Sequence, residues 1–467
     1  MTGISAYLPP LGGLMMIAAL AVSILHEFTG ETSLAVAAGL FTGIGMGAFW
    51  PGLAWSRRVF VLIGLVLLAW LALTREDWTP AALAAIQRAG FIAAFFTAMT
   101  TMRAAATGSA AIIACGRYLA GQPPGRRYLA LTLGGHLFGL ILLYGAIALL
   151  GSLATEAADR EPDPKIRRHR TRRMLVAIQR GFISTLAWSP LTFASAITLT
   201  LVPGASWAGA APYCVVSALL LAGIGWILDS IFKPRLATPP PRSKPDGPWL
   251  TRLRPLLVLL AVLLAAVGVV HLLTGMRVFG AVMTVVPVIA MVWVAFQPGS
   301  GTGIGRVGRR TGDFILRDLP GQSPEFVLLI MAAFIGALGG ELAAPLVAGG
   351  ALDLARVPAP VLLTALFWVI VLTGQLGMNP LLSVALLAPL LPAPPELGVA
   401  PAVVVVTLTG GWALSGATSP VTASTLLVGA FGRVGARRVG LGWNGLYGLV
   451  CGMALSLWIV ALSMFIR

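Results

Sequence analysis

The feature that most constrains this chain is its succession of apolar runs, each about the 17–25 residues that carry a helix across a ~30 Å hydrocarbon layer, with short connections between them. They fall at 8–25, 33–55, 59–74, 81–101, 104–121, 128–152, 174–202, 210–232, 255–275, 278–297, 325–351, 358–376, 377–392, 400–430 and 440–466. With a mean hydropathy of +0.91 and only 10% charged residues, the chain has more apolar surface than a water-soluble core can hide. An all-α polytopic membrane protein follows, with about ten to thirteen helices, some of them re-entrant. "MTGISAYLPP" has no basic region ahead of the first apolar run, so no cleaved leader is expected.

The net charge of +16 does not mark a nucleic-acid binder, because of where it sits. "DREPDPKIRRHRTRR" (159–173), "KPRLATPPPRSKPDGPWLTRLR" (233–254), "GRVGRRTGDFILR" (305–317) and "GRVGARR" (432–438) hold most of it, each beside an apolar run, as the positive-inside rule expects of cytoplasmic loops. The expected location is the cytoplasmic (inner) membrane. Cys115, Cys214 and Cys451 stand far apart in apolar runs and read as packing residues; His136 and His271 likewise stand alone, without metal spacing. "GIGRVG" (303–308) fits a glycine-rich nucleotide pattern but follows a membrane helix rather than a strand, and there is no P-loop. No cofactor is expected beyond a coupling ion, Na+ or H+.

Within this apolar chain one polar phrase occurs twice. "STLAWSPLTFASAITLT" (184–200) and "LSGATSPVTASTLL" (414–427) place Ser189-Pro190-Leu191-Thr192 and Ser419-Pro420-Val421-Thr422 exactly one fixed offset of 230 residues apart. The same offset carries 33–55 onto 263–285, 128–152 onto 358–382 and 210–232 onto 440–462. The first copy leaves a basic loop; the second runs into one. The two therefore cross in opposite senses, which predicts inverted-topology repeats over 1–232 and 255–467, joined by a basic Pro-rich linker at 233–254.

A proline within a membrane helix removes a backbone donor and frees a carbonyl, tolerated where protein groups or water take it up again. Ser189, Thr192, Ser195, Thr418, Ser419, Thr422 and Ser424 are the expected substrate- or ion-binding residues of two broken helices; the plainer alternative is that these hydroxyls only mend the breaks. "TGSAAIIACGRYLAGQPPG" (107–125) and "GMNPLLSVALLAPLLPAPPELG" (377–398) are short apolar stretches that open on a polar turn and close on Pro-Pro. They are read as re-entrant hairpins with Ser109 and Asn379 at their tips. With 56–58 inside, Arg117, Arg126 and Arg127 fall on the outer side unless 104–121 is such a hairpin, and making it one upsets the parity of 128–152. Glu341, in "IGALGGELAAPLVAGG", is the proton-relay candidate. Arg103 and Arg180 could offer charge to an anion, although arginine near a segment end usually snorkels.

Two inverted halves, each with a hairpin and a broken helix rich in Gly, Ser, Thr and Pro, resemble the ion transporter superfamily, which includes divalent-anion/sodium symporters, arsenite permease-like proteins and sodium/proton exchangers. "MNPLLSVALLAPLL" is similar to the hairpin there and "GGWALSGATSPVTASTLLVGAFG" to the broken helix after it. The chain departs from that pattern in lacking the Ser-Asn-Thr signature and the late Asn of the broken helix. The resemblance implies a secondary active transporter, not an enzyme, that moves a small anionic solute by alternating access with protons or sodium. Its expected partners are the solute, the lipid bilayer and a second copy of the chain, and no nucleic acid. The alternatives are a membrane enzyme acting on a lipid-linked substrate, which would need paired acids or a His at one face, and the permease subunit of a larger transporter.

Overall fold

A computed structural model describes residues 4–233, 247–298, 302–348 and 354–466. The linker expected at 233–254 therefore lies largely outside the described residues. The described chain is helical throughout: α1 (Ile4–Thr29), α2 (Thr32–Phe49), α3 (Trp55–Thr74), α4 (Trp78–Thr107), α5 (Ala110–Ala120), α6 (Pro124–Leu142), α7 (Gly145–Asp159), α8 (Pro164–Leu186), α9 (Phe193–Leu201) and α10 (Trp207–Ile231). There follow α11 (Trp249–Thr274), α12 (Val278–Phe296), α13 (Gly303–Asp313), the one-turn α14 (Leu319–Gly321), α15 (Ser323–Ala348), α16 (Ala359–Gln375), α17 (Pro380–Leu387), α18 (Pro401–Thr418), α19 (Ala423–Gly432) and α20 (Gly445–Phe465). Among the described residues, ten helical stretches are long and apolar enough to cross a membrane, the broken pair Pro401–Gly432 counted as one. The chain is a multi-pass helical membrane protein.

It forms two compact units, and each takes residues from both halves of the sequence: Met1–Ala106, Leu263–Asp353 and Val384–Leu391 make one, and Thr107–Val262, Leu354–Ser383 and Pro392–Arg467 the other. In the first unit α1 packs on α2 and α3 on α15. Phe95 and Phe96 of α4 meet Phe279 and Phe326 edge to face, at 5.8 and 4.5 Å between ring centres. Charged groups here sit in pairs: Glu27, whose side chain is 4% exposed, holds Arg277; Arg103 meets Glu325 at 3.6 Å; Arg310 meets Asp318 at 2.7 Å.

The second unit holds both Ser-Pro phrases. Its frame is α6 against α8, which approach through two glycines: a Cβ on Gly181 would lie 2.0 Å from the Thr132 carbonyl oxygen, and one on Gly135 2.3 Å from that of Ile178. Small residues permit such backbone contact where lipid supplies no hydrophobic drive for helix association.

The first hairpin is not where the sequence suggested. The stretch 128–152, read as a single span, turns back at Leu143 and Tyr144, with Leu143 at φ 53°. A Cβ on Gly134 would lie 3.5 Å from Leu150 Cδ1, whereas residues 16 apart in a continuous helix are separated by about 24 Å. The hairpin is thus α6–α7 with its tip at Leu143–Tyr144. Ser109, expected at a tip, instead precedes the short α5, whose 11 residues reach only about 16 Å. The second hairpin is closer to expectation. Thr373 and Ser383 hydroxyls lie 2.9 Å apart across the turn between α16 and α17, where a continuous helix would hold them about 15 Å apart.

Relocating the first hairpin closes the charge count. With α6–α7 turning back on itself, Arg126 and Arg127 before it and the 159–173 loop after it come to one face of their unit, which the positive-inside rule assigns to the inner side. By the same rule the loop charges assign α8–α9 the outward sense and α18–α19 the inward one.

In a background lacking the three native cysteines, single cysteines at Arg126 and Arg160 are expected to react with an impermeant thiol reagent from the same face of oriented vesicles. Labelling from opposite faces would make 124–159 a span. Gly181→Val should cost about 1–3 kcal/mol through overpacking against Thr132, seen as a lower thermal midpoint in detergent.

Candidate functional site

The two Ser-Pro breaks have the same local construction. The Ser189 and Ser419 amides donate to Thr185 and Ser415 carbonyls, at 3.0 and 2.8 Å, as the last bond of each helix. Each serine oxygen then accepts the amide two residues on, from Leu191 at 3.1 Å and Val421 at 3.4 Å. Each threonine hydroxyl donates back to the serine carbonyl, Thr192 at 2.9 Å and Thr422 at 3.1 Å, and each threonine sits in extended conformation at the N-cap position of the next helix, α9 or α19, without a side-chain capping bond. The sequence Ser-Pro-x-Thr encodes this turn. Proline denies the fourth-residue bond, serine bridges it, and threonine restarts the helix.

The second break is the more polar. Pro420 leaves the Gly416 carbonyl without its helical donor, and the hydroxyls of Thr422 (3.1 Å) and Ser424 replace it. Thr425 donates to the carbonyls of Ser419 (2.6 Å) and Thr422 (2.9 Å), and Thr418 to that of Leu414 (2.9 Å). Ser419 donates to Gly374 of the second hairpin at 2.6 Å, and Gln375 Nε2 donates to Thr418 at 3.2 Å. Gly374 runs so close that a Cβ there would lie 2.2 Å from Ser415 Oγ. Two buried polar atoms at this crossing, Ser415 Oγ and Gln375 Oε1, have no hydrogen-bond partner among the described residues. Asn379 stands at the hairpin turn, half-buried, its Oδ1 accepting the Leu381 amide at 3.0 Å.

The breaks adjoin. A Cβ on Gly416 would lie 3.4 Å from Leu186, the last residue of α8, and α9 packs on α18. Of the residues expected at a site, Ser189, Thr192, Ser195, Thr418, Ser419, Thr422 and Ser424 are all buried at these two breaks. Ser109 is buried at the α4–α5 turn. Glu341 belongs to the other unit, half-exposed and 3.6 Å from Arg75 at the end of α3.

A polar network that the sequence did not reveal ties the breaks together. Arg180, 6% exposed, donates to Asn444 Oδ1 (3.0 Å), the Tyr128 hydroxyl (3.0 Å) and the Trp443 carbonyl (3.3 Å), and its guanidinium lies 4.2 Å over the Tyr447 ring. Asn444 Nδ2 donates to Gln179 Oε1 (2.9 Å) and to the Ala417 carbonyl (3.3 Å), one residue before Thr418. Neutral groups thus solvate a buried cation and fix the end of α18 onto α8. Asn444 carried one signal: it is the only Asn besides Asn379. One turn further along the same face of α8, His136 bonds Ser184 at 2.7 Å, and its Nε2 accepts the Trp188 indole N–H at 3.3 Å, which makes His136 a packing residue of the first break.

Chemically, the hydroxyls of Thr192, Thr418, Ser419, Thr422, Ser424 and Thr425 donate to carbonyls and keep their remaining lone pairs as acceptors, to which Ser415 Oγ and Gln375 Oε1 add two more oxygens. That arrangement accepts a small cation or a proton donor. The amino ends of α9 and α19 supply the opposite polarity nearby.

The fold and the site together define a helical membrane protein with paired broken helices and hairpins. No family model and no curated protein matches the sequence. Solved structures do. The chain is similar to the Alcanivorax borkumensis YdaH transporter, described as having an unusual topology, at 17% identity over 87% of this chain and 98% of that one, with a TM-score of 0.55. It is also similar to Neisseria gonorrhoeae MtrF, described as illuminating a class of antimetabolite efflux pumps, at 12% identity over 89% and 96%, with a TM-score of 0.53. At these identities the likeness shows the fold.

Asn444→Ala strips an acceptor from buried Arg180 and donors from Gln179 and Ala417, and is expected to cost about 3 kcal/mol. Asn379→Ala removes only a local cap and should cost about 1 kcal/mol. Thermal unfolding of the two variants in detergent checks the order.

Proposed function

We propose that the chain is a secondary active transporter that moves a small anionic solute across the cytoplasmic membrane by alternating access, coupled to protons or sodium. The observation that carries this reading is the pair of like-built Ser-Pro breaks, oppositely directed by the loop charges and adjoining within one unit. Inverted broken helices of this kind hold substrate and coupling ions near the bilayer midplane in many secondary transporters. The lone pairs at Ser415, Thr418, Ser419, Thr422 and Gln375 suit the ion. The amino-terminal turns of α9 and α19 suit an anionic group, Thr192 and Ser195 belonging to the first of these turns and Ser189 to the break before it. The two structural neighbours named above, a transporter and an efflux pump, support the same class. Ser109, Asn379 and Glu341 are assigned lesser parts, Glu341 as a proton carrier away from the breaks. The resemblance to the ion transporter superfamily and a homodimeric assembly belong to the same proposal.

Proteoliposomes tested against a panel of organic and inorganic anions, with imposed proton or sodium gradients, are expected to show gradient-dependent flux of at least one. The Ser419→Ala/Thr422→Ala double substitution should reduce it at least tenfold. No gradient-dependent flux of any solute would sink the transporter reading, and undiminished flux in the variant would sink the site.

A further inference from the structure

A second feature of the same unit lies outside the breaks. The basic first turns of α8 and the short loop after α19 come together around a surface cavity of about 660 Å³. Five guanidinium groups line it: Arg167, Arg168 and Arg172 from α8, Arg433 from the left-handed turn that ends α19 (φ 51°), and Arg438. Asp159 is the single carboxylate in the lining, so the cavity carries a large excess of positive charge.

This is more than the ordinary basic inner surface of a membrane protein, because the neighbouring arginines are sorted. Arg160 pairs with Glu156 at 3.2 Å, Arg170 with Glu161 at 4.0 Å, and Arg173 with both oxygens of Asp229 at 2.8 and 2.7 Å. The five that line the cavity have no ion pair among the described residues. On α8, therefore, Arg170 and Arg173 turn to carboxylates while Arg168 and Arg172, one helical turn apart, turn to the cavity. Arg172 also lies 5.8 Å over the ring of Trp443, which forms part of the wall. Burial, and then the charges of Arg180 and Arg438, hold the Arg172 guanidinium below its usual pKa. Like charges are gathered without a counter-charge, in a space far larger than one water.

We infer that this cavity binds a phosphate-bearing polyanion through Arg167, Arg168, Arg172, Arg433 and Arg438. Guanidinium forks match phosphate oxygens two at a time, and several unpaired forks around one concavity select a group with more than one charge. The cavity volume fits a phospholipid headgroup with its glycerol or the phosphates of a soluble metabolite. Basic pockets beside helices at the inner face take anionic lipid headgroups by the same chemistry.

The test measures binding to the purified full chain in detergent, with cardiolipin and phosphatidylglycerol as lipid probes, pyrophosphate and ATP as soluble probes, and phosphatidylcholine as control. At least one phosphate-bearing probe should bind, with affinity falling as salt rises, and phosphatidylcholine should not compete. Binding of the lipids alone, or of the soluble probes alone, names the source. Arg168→Gln and Arg433→Gln, both at exposed positions, are each expected to weaken binding at least fivefold, while Arg160→Gln, the paired neighbour outside the cavity, leaves it unchanged. The proposal is overturned if no phosphate probe binds, or if the two cavity variants, shown folded by an unaltered thermal midpoint without ligand, bind as well as wild type. If either fails to fold, Arg168→Lys and Arg433→Lys replace them. Retaining charge while losing the fork, they should weaken binding less than threefold, and a greater loss than for the neutral variants of the remaining cavity arginines would equally overturn it.

Discussion

The interaction on which the second unit depends is the hydrogen bonding of the Gly416 carbonyl. Pro420 takes away its helical donor, and in a membrane no bulk water replaces it. Thr422 and Ser424 do so from the far side of the break, which can happen only if α18 ends where it does and α19 restarts at a changed angle. Once the break is held in that form, Ser419 reaches the Gly374 carbonyl, Gln375 reaches Thr418, and the Ala417 carbonyl is left for Asn444. The hairpin, the broken helix and α20 are located by one deleted N–H.

The same bonds keep the breaks from being loose, as the proposed solute site would require. A hydroxyl that only packed would be free to rotate. Here the hydroxyls of Thr192, Thr418, Ser419, Thr422, Ser424 and Thr425 donate to named carbonyls, which restrains that rotation. Mending the helix and presenting oxygens to a ligand are then one arrangement rather than rivals. Arg180 contributes in another way. Buried among Asn444, Tyr128 and the Tyr447 ring, it makes the junction between α8 and α18 costly to disturb. The two breaks are thereby tied to one frame.

Much of this was legible in the sequence because it is written in residues with strong backbone effects. Pro190 and Pro420 marked the breaks, and the Asn379–Pro380 turn marked the second hairpin. The first hairpin was missed because its turn is made by Leu143 and Tyr144, neither of which signals a turn; Leu143 takes a positive φ that packing in the fold imposes. The charge count nevertheless registered the error as arginines on the wrong face. Asn444 was missed because it belongs to the following helix and meets Arg180 only through the fold. The pairing of Glu341 with Arg75 at the end of α3 was not legible, because the two are far apart in sequence and meet only through the packing of α15 on α3.

The central claim is that the two breaks line a site reached in turn from each side of the membrane. Ser415 is buried and its hydroxyl has no partner among the described residues, so replacing its oxygen by sulfur breaks no hydrogen bond there. In a background free of other cysteines, Ser415→Cys should react with small impermeant thiol reagents applied to either face of oriented vesicles. The balance between the faces should shift when a sodium or proton gradient is imposed. Reaction from one face alone, unmoved by either gradient, would contradict it.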